Sequence, residues 1–194
     1  MAAHLATSIH GREEALATLS AALEGSGPRA LLLVGEAGIG KSRLAAWAAE
    51  RARAAGRVVV EGRAVLGFSE AVGVICDAVR TARRDGLAPR PAEAQAAAFP
   101  AMVLPELGGG AGPESLGAVY DGAVAYLRAL AAPRGLLLVL EDLHWADPAS
   151  LRLVPVLART LAPDRVAMVV TTRPGPGRRA SRRGAAPSRR RAAS

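Results

Sequence analysis

Short apolar runs alternate with longer amphipathic stretches along most of the chain. Apolar runs of a few residues that end at glycine or at charged residues are typical of buried strands. Apolar side chains repeated every three or four positions are typical of helices with one buried face. Strands that alternate with helices predict an α/β fold with a mostly parallel sheet of about four strands.

The predicted strands are 29–35, 57–64, 136–142 and 165–173, and the predicted helices are 11–27, 41–56, about 68–84, about 114–132 and 147–161. The third and fourth helices flank a stretch rich in proline and glycine, from Pro89 to Pro113. Asp147 followed by Pro148 is a typical helix start. Pro155 is expected to kink this last helix or to cut it short.

Composition narrows the class of protein. Half of the residues are hydrophobic and only 3% are aromatic, which favours an aliphatic core. The single cysteine, Cys76, excludes an internal disulfide, and its apolar surroundings favour a buried, inert thiol. The longest apolar runs, of about six residues, are far shorter than the ~18 that a membrane span needs. The amino-terminal residues lack the pattern of a signal peptide, so we expect a cytoplasmic protein.

The net charge of +8 comes almost entirely from one segment. Residues 174–194 contain seven arginines and no acid, which leaves 18 basic and 17 acidic residues in 1–173. We therefore expect one domain in 1–173 and a disordered arginine-rich tail in 174–194. The tail has two interpretations: an arm that binds nucleic acid through phosphates, or translation past a frameshift or a broken gene end. GC-rich codons yield Arg, Gly, Ala, Pro and Ser in almost any reading frame. We favour the second, because the abrupt change in composition falls in mid-domain.

The first strand leads into "GEAGIGKS", which fits the phosphate-binding pattern G-x-x-x-x-G-K-[ST] between a strand and a helix. Its glycines let the backbone approach a ligand closely, so that successive N–H groups point into one concavity at the positive end of the helix. Lys41, the only lysine of the chain, can reach the β- and γ-phosphates, and the Ser42 hydroxyl can bind Mg²⁺. The predicted nucleotide-binding residues are Gly35, Glu36, Ala37, Gly38, Ile39, Gly40, Lys41 and Ser42.

Two carboxylates follow the third strand, in "LLLVLEDLHWAD". The carboxyl ends of parallel strands meet at one edge of a sheet, so Glu141 and Asp142 are expected near the phosphate loop. Adjacent strand residues point in opposite directions, so the two acids should have different tasks. We predict that Glu141 faces the metal, through water, and that Asp142 orients or deprotonates the attacking water.

Two further features lie near the same edge. Arg173, in "TTR", ends the fourth strand and can contact the γ-phosphate; the alternative is an ordinary surface arginine. His144 and Trp145 suggest a metal-binding or stacking role. A lone histidine after a strand is more often structural, and the sequence shows no second cluster of metal ligands.

These motifs together resemble the STAND/AAA+-like P-loop ATPases, above all the amino-terminal ATPase module of large LuxR-type bacterial transcriptional regulators. The resemblance rests on "HGREEAL", "LLVGEAGIGKSRL", "LLLVLEDLHWAD" and "VVTTRP", and it covers about residues 8–174. It implies ATP as ligand, a requirement for Mg²⁺, and slow hydrolysis of the β–γ bond used as a switch. It also implies that the loop around Gly11 and Arg12 borders the adenine.

The chain departs from the family pattern at two points. Many relatives carry Asp where this chain has Glu141. Relatives also continue past "TTRP" with a further strand, a helical lid and DNA-binding domains. The resemblance therefore implies a P-loop ATPase domain in 1–173 that lacks its last core strand and lid and is incomplete at its carboxyl end. We expect a fragment of a regulator that contacts DNA only through missing domains, or weakly through its tail. Without the further strand, residues 29–35 would form an exposed sheet edge prone to self-association.

The main alternative is a basic nucleic-acid-binding protein with a P-loop loader or scaffold domain, in the manner of origin-recognition ATPases. A metabolic P-loop kinase ranks third, because no site for an acceptor substrate is visible, although the segment 65–135 is long enough to hold one.

Overall fold

The computed structural model describes residues 12–67, 71–89, 94–107 and 115–174. The strands are β1 (Ala30–Val34), β2 (Val58–Arg63), β3 (Leu136–Glu141) and β4 (Val166–Thr172). The helices are α1 (Glu13–Glu24), α2 (Lys41–Ala54), α3 (Gly73–Arg84), α4 (Ala94–Val103), α5 (Leu116–Ala131) and α6 (Pro148–Thr160). Single turns of 3-10 helix occupy Pro105–Leu107 and Leu143–Trp145. The arginine-rich tail lies outside the described residues beyond Pro174.

The four strands form one sheet in the order β1-β4-β3-β2, and every neighbouring pair is parallel. This confirms the predicted α/β fold of P-loop type. The parallel order places the carboxyl ends of all four strands along one edge of the sheet, which we call the carboxyl edge. β3 lies inside the sheet, and its residues from Leu136 to Leu140 are buried, as expected for a strand that is covered on both faces.

Helices cover both faces of the sheet. Leu137 and Val139 pack with residues of α1 and α2 on one face. Leu136, Leu138 and Leu140 pack with residues of α3, α5 and α6 on the other. This alternation follows from the period of two along a strand. Cys76 is buried in the second of these cores, as predicted.

The contact between β2 and α3 is close enough to require a glycine. A Cβ atom on Gly62 would lie 2.4 Å from the carbonyl oxygen of Val74 and 2.8 Å from Cβ of Ala78. The absence of a side chain therefore lets α3 lie directly on the strand. This packing fixes the carboxyl end of β2, where Arg63 is found.

Helix α6 begins as its sequence predicts. The Asp147 side chain accepts hydrogen bonds from the N–H groups of Ala149 and Ser150, and Pro148 occupies the first helical position. Of the two effects expected of Pro155, shortening does not occur, since α6 continues to Thr160, close to the predicted end at residue 161. Pro155 is exposed, and the carbonyl of Leu151, which loses its helical donor, lies on the same outer side of the helix, where water can replace the bond.

Helix α4 was not expected inside the stretch rich in proline and glycine. It is anchored by Phe99, which is fully buried and packs against Tyr126 of α5 with ring centroids 5.7 Å apart. Gly122 makes room for this ring, because a Cβ atom there would come within 2.6 Å of Phe99. Tertiary packing on α5 thus supports a helix whose own sequence contains Pro100.

Strand β1 is an edge of the sheet formed by the described residues. Its alternate residues Leu32 and Val34 are 61% and 52% exposed. The helices of the described ranges include none with the length and apolarity that a bilayer crossing demands.

Candidate functional site

The loop between β1 and α2 adopts a shape that its glycines permit. Gly38 and Gly40 have φ angles of 77° and 93°, in the left-handed region that favours glycine. A Cβ atom on Gly35 would lie 2.2 Å from Cδ1 of Ile39, so a side chain there would displace the exposed Ile39 side chain. The loop is anchored to the sheet by a hydrogen bond from the N–H of Gly35 to the carbonyl of Thr172.

Lys41 lies inside this loop. Its Nζ donates hydrogen bonds to the carbonyl oxygens of Gly35 (2.7 Å) and Glu36 (2.9 Å), and the residue is only 8% exposed. The ammonium group therefore lies within the curve of the loop, at the start of α2. The other predicted residues from Glu36 to Ile39 are exposed, as is Ser42 in the first turn of α2. The positive end of a helix and a fixed ammonium together attract an anion.

Arg12 approaches the phosphate loop from the start of α1. Its guanidinium donates a hydrogen bond to the carbonyl of Ile39, and it lies within van der Waals reach of the position that a Cβ on Gly40 would occupy. Arg12 thus joins the segment before α1 to the loop. Gly11 lies outside the described residues, so the implied contact with adenine stays a prediction.

The two oxygens of Glu141 have different surroundings. Oε2 is 2.5 Å from Nη2 of Arg63, which follows from the register that pairs Arg63 with Glu141 at the ends of β2 and β3. Oε1 is buried, with no hydrogen-bond partner among the described residues. The hydrogen bond and the charge of Glu141 raise the pKa of Arg63 above its ordinary value.

Asp142 leaves the strand in a left-handed conformation, with φ 58°. Its N–H donates a hydrogen bond to Oγ1 of Thr171 in β4. Its carboxylate is partly exposed, with Oδ2 3.9 Å from Nε of Arg63. The expectation that the pleat would turn the two acids apart is therefore wrong: β3 ends at Glu141, a turn directs Asp142, and both carboxylates approach one arginine.

Arg173 and the turn after Asp142 complete this edge. The guanidinium of Arg173 lies 5.9 Å from the ring centroid of Trp145, which in turn contacts His144. Both ring nitrogens of His144 are buried and lack a partner within the described ranges. Burial, with the nearby charges of Arg173 and Lys41, outweighs the attraction of Asp142 and lowers the pKa of His144. The lowered pKa favours the neutral form of this imidazole.

The donor set fits Mg²⁺. Mg²⁺ in nucleotide sites takes oxygen ligands from one or two protein groups and completes its shell with water and phosphate oxygens. Ser42 offers an exposed hydroxyl and Glu141 a buried carboxylate oxygen without a partner. Within the described ranges no three His, Cys, Asp or Glu side chains are close enough to hold a metal ion by themselves. A cation at this edge would thus depend on the phosphates.

Arg63 is the residue that the sequence analysis missed. It also lines a cavity of about 120 Å³ beside the acids, together with Asp77, Trp145 and Asp147. The available signal was its position at the end of the second predicted strand, "VVVEGR", which the rule for parallel sheets places at the carboxyl edge.

Comparison with known proteins gives the following matches. A family profile described as an AAA ATPase domain matches residues 8–170. Similar solved structures include a DNA replication initiation factor (15% identity, TM-score 0.47) and the Aeropyrum pernix ORC1 protein in complex with DNA (24% identity, TM-score 0.45). These alignments cover 88% and 86% of this chain, and the chain spans 40% of the length of each structure. Curated proteins yield no match.

Proposed function

We propose, from the premise that this chain belongs to the AAA ATPase domain family, that it binds Mg·ATP in the loop 35–42 and hydrolyses it slowly as a regulatory switch. The observation that carries the proposal is the position of Lys41. Its ammonium is held by two carbonyls of a loop whose residues from Glu36 to Ile39 are exposed just before a helix start. This arrangement matches a polyphosphate in both charge and shape.

The carboxyl edge supplies groups for hydrolysis. We assign Glu141 to the metal shell, because its buried Oε1 lacks a partner in the described part of the chain. Asp142 is assigned to orient or deprotonate the attacking water, because its carboxylate is more exposed than that of Glu141. When bound, Mg²⁺ neutralises phosphate charge and polarises the bond that breaks. Arg173 lies at the end of β4, where its charge can stabilise the γ-phosphate.

The ion pair between Arg63 and Glu141 favours a slow rate. In the structure, Oε2 of Glu141 is paired with Arg63 at 2.5 Å. Arg63 therefore competes with a cation for the same carboxylate. Arg63 also lies 3.9 Å from Asp142 and attracts the second acid. A weak, regulated hydrolysis suits a switch better than a metabolic enzyme.

The wider role that we propose is signalling within a LuxR-type transcriptional regulator of the STAND group. The four motifs "HGREEAL", "LLVGEAGIGKSRL", "LLLVLEDLHWAD" and "VVTTRP" support it. In that setting, contact with DNA belongs to other domains of a longer protein.

A second candidate is a nucleic-acid-binding loader or scaffold of origin-recognition type. One observation favours it: residues 174–194 carry seven arginines and no acid, the charge pattern of a phosphate-binding arm. The two candidates share the nucleotide site and differ in whether this chain itself binds nucleic acid.

The central test is Lys41→Ala. We expect loss of Mg·ATP binding in calorimetry, because the phosphates lose the cation held inside the loop. Arg43→Ala is the matched control, since Arg43 is an exposed cation of the same helix and its removal should leave the dissociation constant nearly unchanged. An unchanged dissociation constant in Lys41→Ala would exclude this loop as the nucleotide site.

A further inference from the structure

We infer that three arginines form a binding site for a free, multivalent phosphate anion at the amino edge of the sheet, the edge where the four parallel strands begin. The residues are Arg29, Arg57 and Arg165, which immediately precede β1, β2 and β4. The six residues of β2 separate this edge from the carboxyl edge by about 20 Å. The site is therefore distinct from the loop 35–42 and does not depend on the function proposed for that loop.

The register of the sheet brings Arg57 and Arg165 together. The first residues of β2, β3 and β4 are paired with one another, so Arg57, Gly135 and Arg165 lie in one row just before these strands. A Cβ atom on Gly135 would lie 3.5 Å from Cζ of Arg57 and 3.1 Å from the carbonyl oxygen of Arg165. Because Gly135 has no side chain, the guanidinium of Arg57 can cross the start of β3. Its Nη1 then lies 3.5 Å from the carbonyl oxygen of Arg165.

Arg29 adds a third positive charge from the other side of β4. Its neighbour Ala30 is paired with Met168 of β4, so Arg29 lies beside the beginning of that strand. Partial burial, the charge of Arg165 and the charge of Arg29 together lower the pKa of Arg57. An arginine in a protein nevertheless keeps its proton. Three like charges are thus held close enough to act on one another.

No acid of the described ranges forms an ion pair with any of these three arginines. Asp164, the neighbour of Arg165 in sequence, is engaged by Arg128 of α5, which donates to its Oδ2 from Nε (2.9 Å) and Nη2 (2.8 Å). The carbonyl acceptor of Arg57 lies at 3.5 Å, at the limit of a hydrogen bond. The cluster therefore combines positive charge with unused N–H donors.

A simpler explanation covers only one of the three residues. The guanidinium of Arg29 lies against the end of α1, where a Cβ atom on Gly25 would come within 2.9 Å of its Nη2. A cation at the end of a helix is favourable by itself, because it complements the helix dipole. This accounts for Arg29, but it does not explain why Arg57 extends across β3 toward another arginine.

The backbone of Arg165 supports a role beyond packing. Its φ angle of 58° lies in the left-handed region, which a residue with a long side chain rarely adopts. Glycine would adopt the same angle without a steric cost. The side chain of Arg165 is exposed, so burial does not compensate for the strain. Strain of this kind is typical of residues that contact a ligand.

The chemistry of the cluster selects a phosphate group. A guanidinium presents a planar fork of N–H donors that matches two oxygens of one phosphate. Three positive charges favour a multivalent anion over a carboxylate or chloride. The arginines converge on one place instead of following a stripe along the surface, which favours a compact free anion over the backbone of a nucleic acid. Arg165 is exposed and Arg29 and Arg57 are partly exposed, so the anion can enter from solvent.

Chemical modification of the arginines in the full chain tests the site, with pyrophosphate as the probe. Phenylglyoxal reacts with exposed guanidinium groups, and mass spectrometry of peptides identifies the arginines that have reacted. We expect pyrophosphate to slow the modification of Arg165 and to leave that of Arg152 unchanged. Arg152 is an exposed arginine in the first half of α6. Equal rates for Arg165 with and without pyrophosphate, or equal protection of Arg152, overturn the inference. So does protection of Arg165 by a short DNA duplex and not by pyrophosphate.

Arg57→Gln tests whether the arginines act together, with Arg152→Gln as the matched control. We expect Arg57→Gln to raise the pyrophosphate concentration that half-protects Arg165 about tenfold or more, the usual loss when a charge-assisted hydrogen bond is removed. Arg152→Gln removes the same charge elsewhere and should not alter that concentration. Lys41→Ala should not alter it either, because Lys41 lies at the other edge of the sheet. An unchanged value in Arg57→Gln, or a loss of protection in Lys41→Ala, contradicts a separate site.

Arg165→Gly supplies a second measurement in a variant that should fold as the wild type does, since glycine adopts φ 58° without strain. It is combined with Lys41→Ala, so that the loop 35–42 does not contribute. We expect pyrophosphate to raise the Tm of the Lys41→Ala chain, because a ligand of the folded state stabilises it. The rise should be lost in the double variant. An equal rise in the two chains overturns the inference.

Discussion

At the scale of single residues, Glu141 and Asp142 differ in burial more than in position. Both approach Arg63, but Glu141 is less exposed and keeps one buried oxygen without a partner among the described residues. A desolvated oxygen without a donor gains most from a cation, whereas an accessible carboxylate can reach a water molecule. These environments support separate roles and make the roles separable by mutation.

We predict that Glu141→Gln weakens nucleotide binding about ten- to a hundredfold, and only when Mg²⁺ is present. Asp142→Asn should leave binding nearly intact and lower hydrolysis about a hundredfold. Calorimetry with and without Mg²⁺ and a phosphate-release assay measure the two effects. Glu61→Gln is the control, since Glu61 also pairs with an arginine, Arg53 at 2.6 Å, but at an exposed site. The reverse pattern would mean that the two carboxylates exchange roles.

The phosphate loop was predictable residue by residue because its pattern is local. Gly35 to Ser42 are contiguous, and Gly38 and Gly40 adopt the left-handed backbone conformation that favours glycine. Arg63 was not predictable in the same way. Its partner Glu141 is 78 residues away, and the pair exists only because β2 lies beside β3 in register.

At the scale of secondary structure elements, Asp147 joins two helices. Its carboxylate caps α6 through Ala149 and Ser150, and it also accepts hydrogen bonds from the N–H groups of Val72 and Gly73 at the start of α3. One side chain therefore satisfies donors at two helix starts, beside the cavity that borders Arg63.

We predict that Asp147→Ala lowers the free energy of unfolding by about 2 kcal/mol or more, since caps alone contribute about 1 kcal/mol and two further donors lose their acceptor. Ser115→Ala is the control, because Ser115 caps α5 through one bond, from the N–H of Ala118. Urea denaturation measures both. Equal losses in the two variants would show that the link to α3 contributes nothing.

The same carboxylate predicts a dependence on pH. Burial opposes the ionisation of Asp147, but the hydrogen bonds from Ser150, Val72 and Gly73 outweigh it and lower its pKa below the ordinary 3.8. The stabilisation is therefore complete above pH 3.8 and is lost as the pH falls through the lower value of the folded state. The difference in unfolding free energy between the wild type and Asp147→Asn should narrow in that acidic range.

Two elements show where sequence patterns fall short. α4 lacks a clear apolar stripe of its own and owes its place to Phe99 in a gap left by Gly122 of α5. α6 runs past Pro155 because the missing hydrogen bond lies on an exposed side. In α4, tertiary packing overrides a weak local helix propensity. In α6, exposure to solvent offsets the hydrogen bond that the proline removes.

At the scale of the whole molecule, the charge is divided between a nearly neutral body, +1 over residues 1–173, and a tail with seven arginines. A tail of this kind binds DNA through phosphates in a way that salt screens. Under the regulator proposal such binding is weak and unaffected by nucleotide. Under the loader alternative, Mg·ATP strengthens it.

We predict that the chain binds a duplex oligonucleotide weakly and that its affinity falls steeply between about 50 and 200 mM salt. The reason is that each phosphate contact releases about 0.9 counterions from the DNA. Fluorescence anisotropy with and without Mg·ATP measures it. Removal of residues 174–194 should abolish the binding and leave Mg·ATP affinity unchanged. An affinity for DNA that survives this removal excludes the arm as the contact.

The order β1-β4-β3-β2 has a consequence for synthesis on the ribosome. Leu32 of β1 pairs with Val170 of β4, and Val170 lies 170 − 32 = 138 residues later in the chain. At a synthesis rate of about 5–20 residues per second, β1, which leads into the phosphate loop, is made roughly 7 to 28 s before its neighbour β4. During this interval β2 and β3 can already pair, while "ALLLV" has no strand beside it. The loop 35–42 is therefore among the last parts of this fold to be completed, so a nucleotide bound there would stabilise a nearly finished domain rather than guide its early folding.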